Sequence, residues 1–108
     1  MRTNHRIDGA GHRWVTFVTG IANDLSMWDG QITALEHDFR ILRYDLRGHG
    51  GTWSTAGEYT IDLLVQDLVE LLDDQKVQRT SLVGVGLGGA IAQAFDSRHP
   101  DRLEKLMP

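Results

Sequence analysis

The residues most able to support chemistry form a glycine-dense stretch, Gly84-Val85-Gly86-Leu87-Gly88-Gly89, between a β-rich run and an apolar helical one. Glycines at a strand-to-helix turn let backbone approach a ligand closely. Gly84, Gly86 and Gly89 fit the G-x-G-x-x-G spacing of dinucleotide sites. That reading wants an acidic residue about 20 positions on, at the end of the following strand. Glu104 is near that distance but stands at the strand's start. The turn also follows the third strand of the alternating set, not the first βα turn. Two further glycine turns, Thr19-Gly20 and Arg47-Gly48-His49-Gly50-Gly51, complete the set. There is no cysteine, which excludes a thiolate nucleophile, a thiolate zinc site and a disulfide scaffold. No metal site and no cofactor are expected. None of the five histidines fits a base role. His49 sits in the Arg-Gly-His-Gly loop, His99 ends the helix after the glycine turn, and His5, His12 and His37 fall away from the turns.

The elements that must position these turns alternate. Residues 5–8 make a possible short strand, closed by Gly9-Ala10-Gly11. Trp14-Val15-Thr16-Phe17-Val18 is a β-rich run that reads as a buried strand. Residues 26–37 read as a helix with Met27, Trp28, Ile32 and Leu35 mainly on one face, Ser26 as cap and Asp29 three residues on. Residues 39–45 form a second central strand. Thr60 caps a strong helix to about Gln75, in which Ile61, Leu64, Val65, Leu68, Leu71 and Leu72 make a core-facing stripe. Residues 80–85 are the third strand, residues 86–97 a turn and helix, and residues 103–107 the start of a fourth strand.

Strand–helix alternation with continuous apolar strands implies an α/β, three-layer fold: a parallel sheet with helices on both faces. Ligands of such sheets sit at the carboxyl ends of the strands, where the three glycine turns fall. The 108 residues make one domain. A net charge of -4 with scattered Lys and Arg argues against nucleic acid as partner. No apolar run reaches the ~18 residues of a membrane span, and no apolar segment follows the basic start, so the cytoplasm is the default location.

Four segments make the chain resemble the α/β-hydrolase superfamily, most of all its 3-oxoadipate enol-lactonase-like esterases and lactonases. Val18-Thr19-Gly20-Ile21 stands where the family has its His-Gly oxyanion loop, with Thr19 in place of the usual histidine. Met27-Trp28-Asp29 followed by Leu35 is similar to the family's first helix. Arg43-Tyr44-Asp45-Leu46-Arg47-Gly48-His49-Gly50 is very similar to its strand-four signature. The stretch from Leu82 to Ala92 resembles the nucleophile elbow and its helix, closed by Arg98-His99-Pro100-Asp101-Arg102.

The resemblance implies ester or lactone hydrolysis through an acyl-enzyme. The family's elbow reads G-x-S-x-G, its serine held on a strained turn above the sheet. Here Gly84 and Gly88 flank Gly86, which has no hydroxyl to attack a carbonyl. By position the oxyanion donors are the backbone N–H groups of Ile21 and Leu87. The family's acid and histidine lie after later strands, beyond residue 108. The chain therefore reads as the amino-terminal half of such a domain, without cap or carboxy-terminal strands, and is expected to be non-catalytic alone. It is expected to associate with itself or with a missing carboxy-terminal segment, and a small ester or lactone is the expected ligand. The alternatives are a non-enzymatic ligand-binding or regulatory module and the dinucleotide-binding domain.

Overall fold

The computed structural model describes residues 5–18, 28–46, 60–84 and 86–107. They form β1 (His5–Gly9), β2 (Trp14–Val18), α1 (Asp29–Leu35), β3 (Arg40–Tyr44), α2 (Ile61–Asp74), β4 (Thr80–Gly84), α3 (Leu87–Arg98), a short 3-10 turn (Pro100–Arg102) and β5 (Leu103–Met107). The five strands make one sheet in the order β1-β3-β2-β4-β5. The expected parallel pairing holds across β3, β2, β4 and β5. The sheet as a whole is mixed, because β1 runs antiparallel to β3, with His5 opposite Tyr44 and Gly9 opposite Arg40. The short link from β1 to β2 is too brief for a parallel crossover. It turns instead on Gly9 and Gly11, both at positive φ and both packed against the α1–β3 connection. A Cβ at Gly9 would stand 2.2 Å from the Phe39 carbonyl oxygen.

Alternation along the strands sorts the core into two layers. Val18, Leu42, Tyr44 and Leu82 face α2 and α3, meeting Leu64, Val65, Leu68, Leu71, Leu72, Ile91, Ala92 and Phe95. Val15, Phe17 and Ile41 face the other way and meet Trp28 and Ile32 of the α1 side. Trp28 stacks on Phe17 with ring centroids 4.7 Å apart. Helices thus lie on both faces, as the alternation requires. The first helix, Asp29–Leu35, ends two residues before the expected His37, and Ser26 and Met27 lie outside the described residues. Asp29 instead pairs with Arg43.

Two buried polar groupings tie the elements together, one between neighbouring strands and one between strands and α1. Thr80 donates its hydroxyl to the Ser81 carbonyl at 2.9 Å, so the 2.8 Å contact with Thr16 must run from the Thr16 hydroxyl to Thr80. This satisfies both hydroxyls between β2 and β4, where an unpaired one would be costly. Arg43 projects from β3 to the α1 face, its side chain only 4% exposed. Its guanidinium reaches Asp8 on β1 at 3.4 Å and Asp29 at the start of α1. Removing either carboxylate leaves buried charge less compensated.

Helix α2 starts as its sequence dictates: the Thr60 hydroxyl accepts from the Leu63 N–H at 3.1 Å. Its end closes in a Schellman pattern. The Val77 N–H reaches the Leu72 carbonyl at 2.8 Å and the Lys76 N–H reaches that of Asp73 at 3.1 Å. The left-handed position falls on Lys76, at φ 60, where glycine is the usual occupant. Arg102 holds the same corner from the far side, donating to the Gln78 carbonyl at 2.6 Å and the Val77 carbonyl at 2.8 Å.

Lys76→Gly removes the left-handed penalty of about 1–2 kcal/mol and adds about 0.5–1 kcal/mol of unfolded-chain entropy. Net stabilisation of about 0.5–1 kcal/mol is the expected outcome, read as a higher urea midpoint at unchanged m-value. Arg102→Ala, which frees two carbonyls and Asp73, is expected to destabilise by about 1–2 kcal/mol, read as a lower urea midpoint.

Candidate functional site: the turn between β4 and α3

Parallel register brings three strand ends into one row. Val18 of β2 lies beside Tyr44 of β3 on one side and Gly84 of β4 on the other. The three glycine turns identified in the sequence therefore leave from the same edge of the sheet. Only the third is described, apart from Val85. Thr19, Gly20 and Ile21 lie outside the described residues, as do residues 47–51 with His49. The assignment of Ile21 as an oxyanion donor accordingly has no geometry to stand beside it.

At the third turn, each glycine has a distinct physical task. Gly84 is where strand and helix touch backbone to backbone. A Cβ there would stand 2.5 Å from the Gly88 carbonyl oxygen and 2.8 Å from the Gly89 nitrogen. Gly89 returns the contact, its Cβ position 3.4 Å from the Gly84 oxygen. Gly88 is buried on the same face of α3. Gly86 differs from all of these. It holds φ 56 and ψ −124, a conformation that L residues rarely adopt, and a Cβ there would meet nothing within 4 Å. A side chain at this position would enter free space, and the cost of having one is in the backbone alone.

Helix α3 begins at once after Gly86. The Ala90 N–H bonds the Gly86 carbonyl at 3.2 Å. The N–H groups of Leu87, Gly88 and Gly89 precede the helix's own acceptors, so the first turn carries donors and the positive end of the helix dipole. Leu87, the named donor, is the first helical residue and half-buried. The arrangement can present N–H groups to negative charge beside residue 86, and residue 86 offers no nucleophilic atom of its own.

Three of the histidines stand away from the glycine row: His12 precedes β2, His37 follows α1, and His99 ends α3 with its ring 5.3 Å from Phe95. His5, expected away from the turns, instead lies on β1 opposite Tyr44, at the carboxyl end of β3, because β1 runs antiparallel. Among the described residues no three carboxylates and imidazoles could share a metal ion. Two surface hollows, of about 700 and 400 Å³, share Lys76, Gln78 and Arg79 at the amino ends of the strands, opposite the glycine row. Their mixed, exposed charges include Asp73 and Glu104, which are already paired with Arg102 and Arg13.

Sequence reading did not single out Tyr44 and Asp67 as neighbours. Tyr44 ends β3 on the α2 side, and burial pushes its hydroxyl well above the usual phenol range, with the charge of Asp67 adding to the shift. Asp67 interrupts the apolar stripe of α2 on its buried side, and that interruption was the available signal.

The strand order and the layered helices are those of an α/β hydrolase. Residues 13–107 match the family model described as alpha/beta hydrolase fold, and the chain belongs to that family. Its relatives include 3-oxoadipate enol-lactonase 2 of Acinetobacter baylyi, 31% identical over 91 residues, which are 84% of this chain and 34% of that protein. A putative carbamate hydrolase, RutD, of Caulobacter segnis is 32% identical over 91% of this chain and 38% of its own. Among solved structures, the enol-lactonase of Burkholderia xenovorans superposes with a TM-score of 0.93 at 39% identity, covering 96% of this chain and 41% of that one. A hydrolase of Pseudomonas aeruginosa gives 0.91 at 41% identity, over 94% and 39%. The chain thus spans about two-fifths of the length of the proteins it matches. These likenesses favour neither the dinucleotide-binding reading nor the sensor module. The Gly84, Gly86 and Gly89 spacing is met by strand–helix packing and turn geometry.

Gly84→Ala forces a methyl group into the Gly88 carbonyl and is expected to destabilise by about 2 kcal/mol or more. Gly86→Ser meets no atom and costs only its backbone conformation, about 1–3 kcal/mol. Urea denaturation of both variants, with far-UV circular dichroism as probe, checks this order.

Proposed function

We propose that residues 1–108 are the amino-terminal half of an ester or lactone hydrolase domain in which Gly86 stands at the nucleophile position. The observation that carries this reading is the conformation of Gly86. A residue at φ 56 and ψ −124, with free space over its Cα, is placed as an elbow nucleophile must be, at the mouth of a helix whose first donor is Leu87. Gly84 and Gly88 supply the close strand–helix approach that such a turn needs. Ile21 is assigned the second oxyanion donor by the family resemblance. Glycine cannot form the acyl-enzyme, and in the family the acid and histidine come from polypeptide beyond the stretch that this chain matches. A small ester or lactone binds at the glycine row without turnover, and no metal or cofactor takes part.

The alternative of a non-enzymatic binding module makes the same prediction about turnover, and no observation favours it over the hydrolase lineage. No described helix is long and apolar enough to cross a membrane.

Hydrolysis of 4-nitrophenyl acetate and of an enol-lactone by the 108-residue chain is expected not to exceed the buffer rate. Gly86→Ser alone is expected to be equally inactive. Activity is expected only when that variant is joined to a carboxy-terminal segment carrying the acid and histidine. Turnover by the unmodified chain would refute the assignment of residue 86.

A further inference from the structure

The amino ends of the strands gather basic residues that the sequence scatters. Val15 lies beside Ser81, so Arg13 and Arg79, each two residues earlier, approach the sheet side by side. The turn after α2 brings Lys76 to the same edge, and β5 adds Glu104. A hollow of about 400 Å³ opens among them, lined by His12, Arg13, Trp14, Lys76, Arg79 and Glu104. Small-molecule sites begin at about this size. Arg40 stands over the Trp14 ring at 5.5 Å and places a further cation beside it. Glu104 is taken by Arg13, whose Nε and one terminal nitrogen reach the same carboxylate oxygen at 3.1 and 2.9 Å. Neither Lys76 nor Arg79 pairs with a carboxylate among the described residues. Two uncompensated cations thus line one hollow, in a chain whose net charge is -4.

The backbone marks Lys76 as well. It holds φ 60 at the end of α2, where glycine fits best and a side chain costs stability. A cation stands at this corner although the turn by itself favours glycine, and strain of that kind collects at ligand sites. The corner is also pinned. Arg102 donates to the carbonyls of Val77 and Gln78, and the Val77 side chain is buried. Lys76 and Arg79 therefore flank a held segment, and little chain entropy opposes their joint use. We propose that the hollow binds a phosphate-class dianion, as inorganic phosphate or as the phosphate group of a small monoester. Arg79 supplies a planar guanidinium fork and Lys76 a point charge. Gln78, also in the lining, supplies a neutral amide donor. Two uncompensated positive charges match a dianion, whereas a carboxylate leaves one of them unmatched. The larger hollow on the other side of Lys76 is less suited, because Asp73 and Asp101 line it. The site lies at the opposite end of β2 and β4 from Val18 and Gly84, so its ligand is clear of the glycine row. The inference does not depend on the reading of Gly86.

The test is a titration of the 108-residue chain with inorganic phosphate, followed in amide NMR spectra at about pH 7.5, where phosphate is largely a dianion. Saturation is expected at roughly millimolar concentration, as a few charge-assisted hydrogen bonds at an exposed site allow. The signals expected to move are those of Trp14 and residues 76–79, and not those of residues 87–89 at the start of α3. Phenyl phosphate is expected to saturate the same signals, and acetate to need roughly tenfold more or beyond. Arg79→Ala is expected to weaken phosphate roughly tenfold or more. Lys76→Gly is expected to do the same while raising the urea midpoint, which separates lost binding from lost folding. Lys76→Arg keeps the charge and is expected to keep most of the affinity. Arg98→Ala, which removes an exposed arginine paired with Asp62, is expected to leave it unchanged. The proposal is overturned if neither phosphate nor phenyl phosphate saturates, or if the moving signals centre on Leu87 to Gly89. Acetate binding as tightly as phosphate would overturn it too, as would Lys76→Gly and Arg79→Ala chains that bind phosphate like the parent.

Discussion

The contact on which the carboxyl edge depends is the approach of two backbones at the junction of β4 and α3. Gly84 and Gly88 come so close that no Cβ fits between them. That approach lets α3 start directly above the end of β4, and it fixes where the helix's free N–H groups point. It also holds Ile91, Ala92 and Phe95 against the sheet, where they share a core with α2. Were the helix held off by one methyl group, the turn at Gly86 would lose its supports on both sides. The unusual backbone of Gly86 is thus a consequence of the packing that flanks it.

Two charged clusters lie on opposite faces of the sheet. Arg43 ties β1 and α1 to β3 across one face, and Arg98 of α3 pairs with Asp62 at the first turn of α2 across the other. The Arg43 guanidinium is buried, Asp8 is half-buried and Asp29 is exposed, so the arginine is the member that depends on its partners. The Arg98 pair is exposed, so solvent screens it and it contributes little. Stability therefore comes from the two apolar layers, with Arg43 as the polar element that those layers cannot replace one partner at a time.

Much of this was legible in the residues. Leu64 to Leu72 and the Thr60 cap define α2 without tertiary help, and Trp14 to Val18 can hardly be other than a buried strand. The Leu103–Met107 strand was equally plain. The antiparallel direction of β1 was not, because periodicity carries no sign. Only the shortness of the link through Gly9 and Gly11 decides it, and that depends on packing against Glu36 and Phe39. At the start of α1, Asp29 looked like part of a cap, and a buried arginine on a neighbouring strand takes its carboxylate; Ser26, the expected cap, lies outside the described residues. At the candidate site, spacing alone made Gly84, Gly86 and Gly89 look equivalent. The backbone angles and the distances to an added Cβ separate two packing glycines from one conformational glycine.

The strand order has a consequence for how the chain acquires its fold. β2 lies at the centre of the sheet, flanked by β3 and β4. Its pairing with β3 closes through the nearby α1, whose Trp28 docks on Phe17 over a short stretch of chain. Its other edge stays open until Ser81 to Gly84 arrive beside Val15 to Val18, far along the sequence. During synthesis the α1 layer can therefore assemble on β2 and β3 while the α2 and α3 layer has no sheet on which to close. The long-range step is the pairing of β2 with β4, and loop-closure entropy makes it the slow one. The buried link from Thr16 to Thr80 forms only at that step, so those two hydroxyls remain with water until the last layer of the core is laid down.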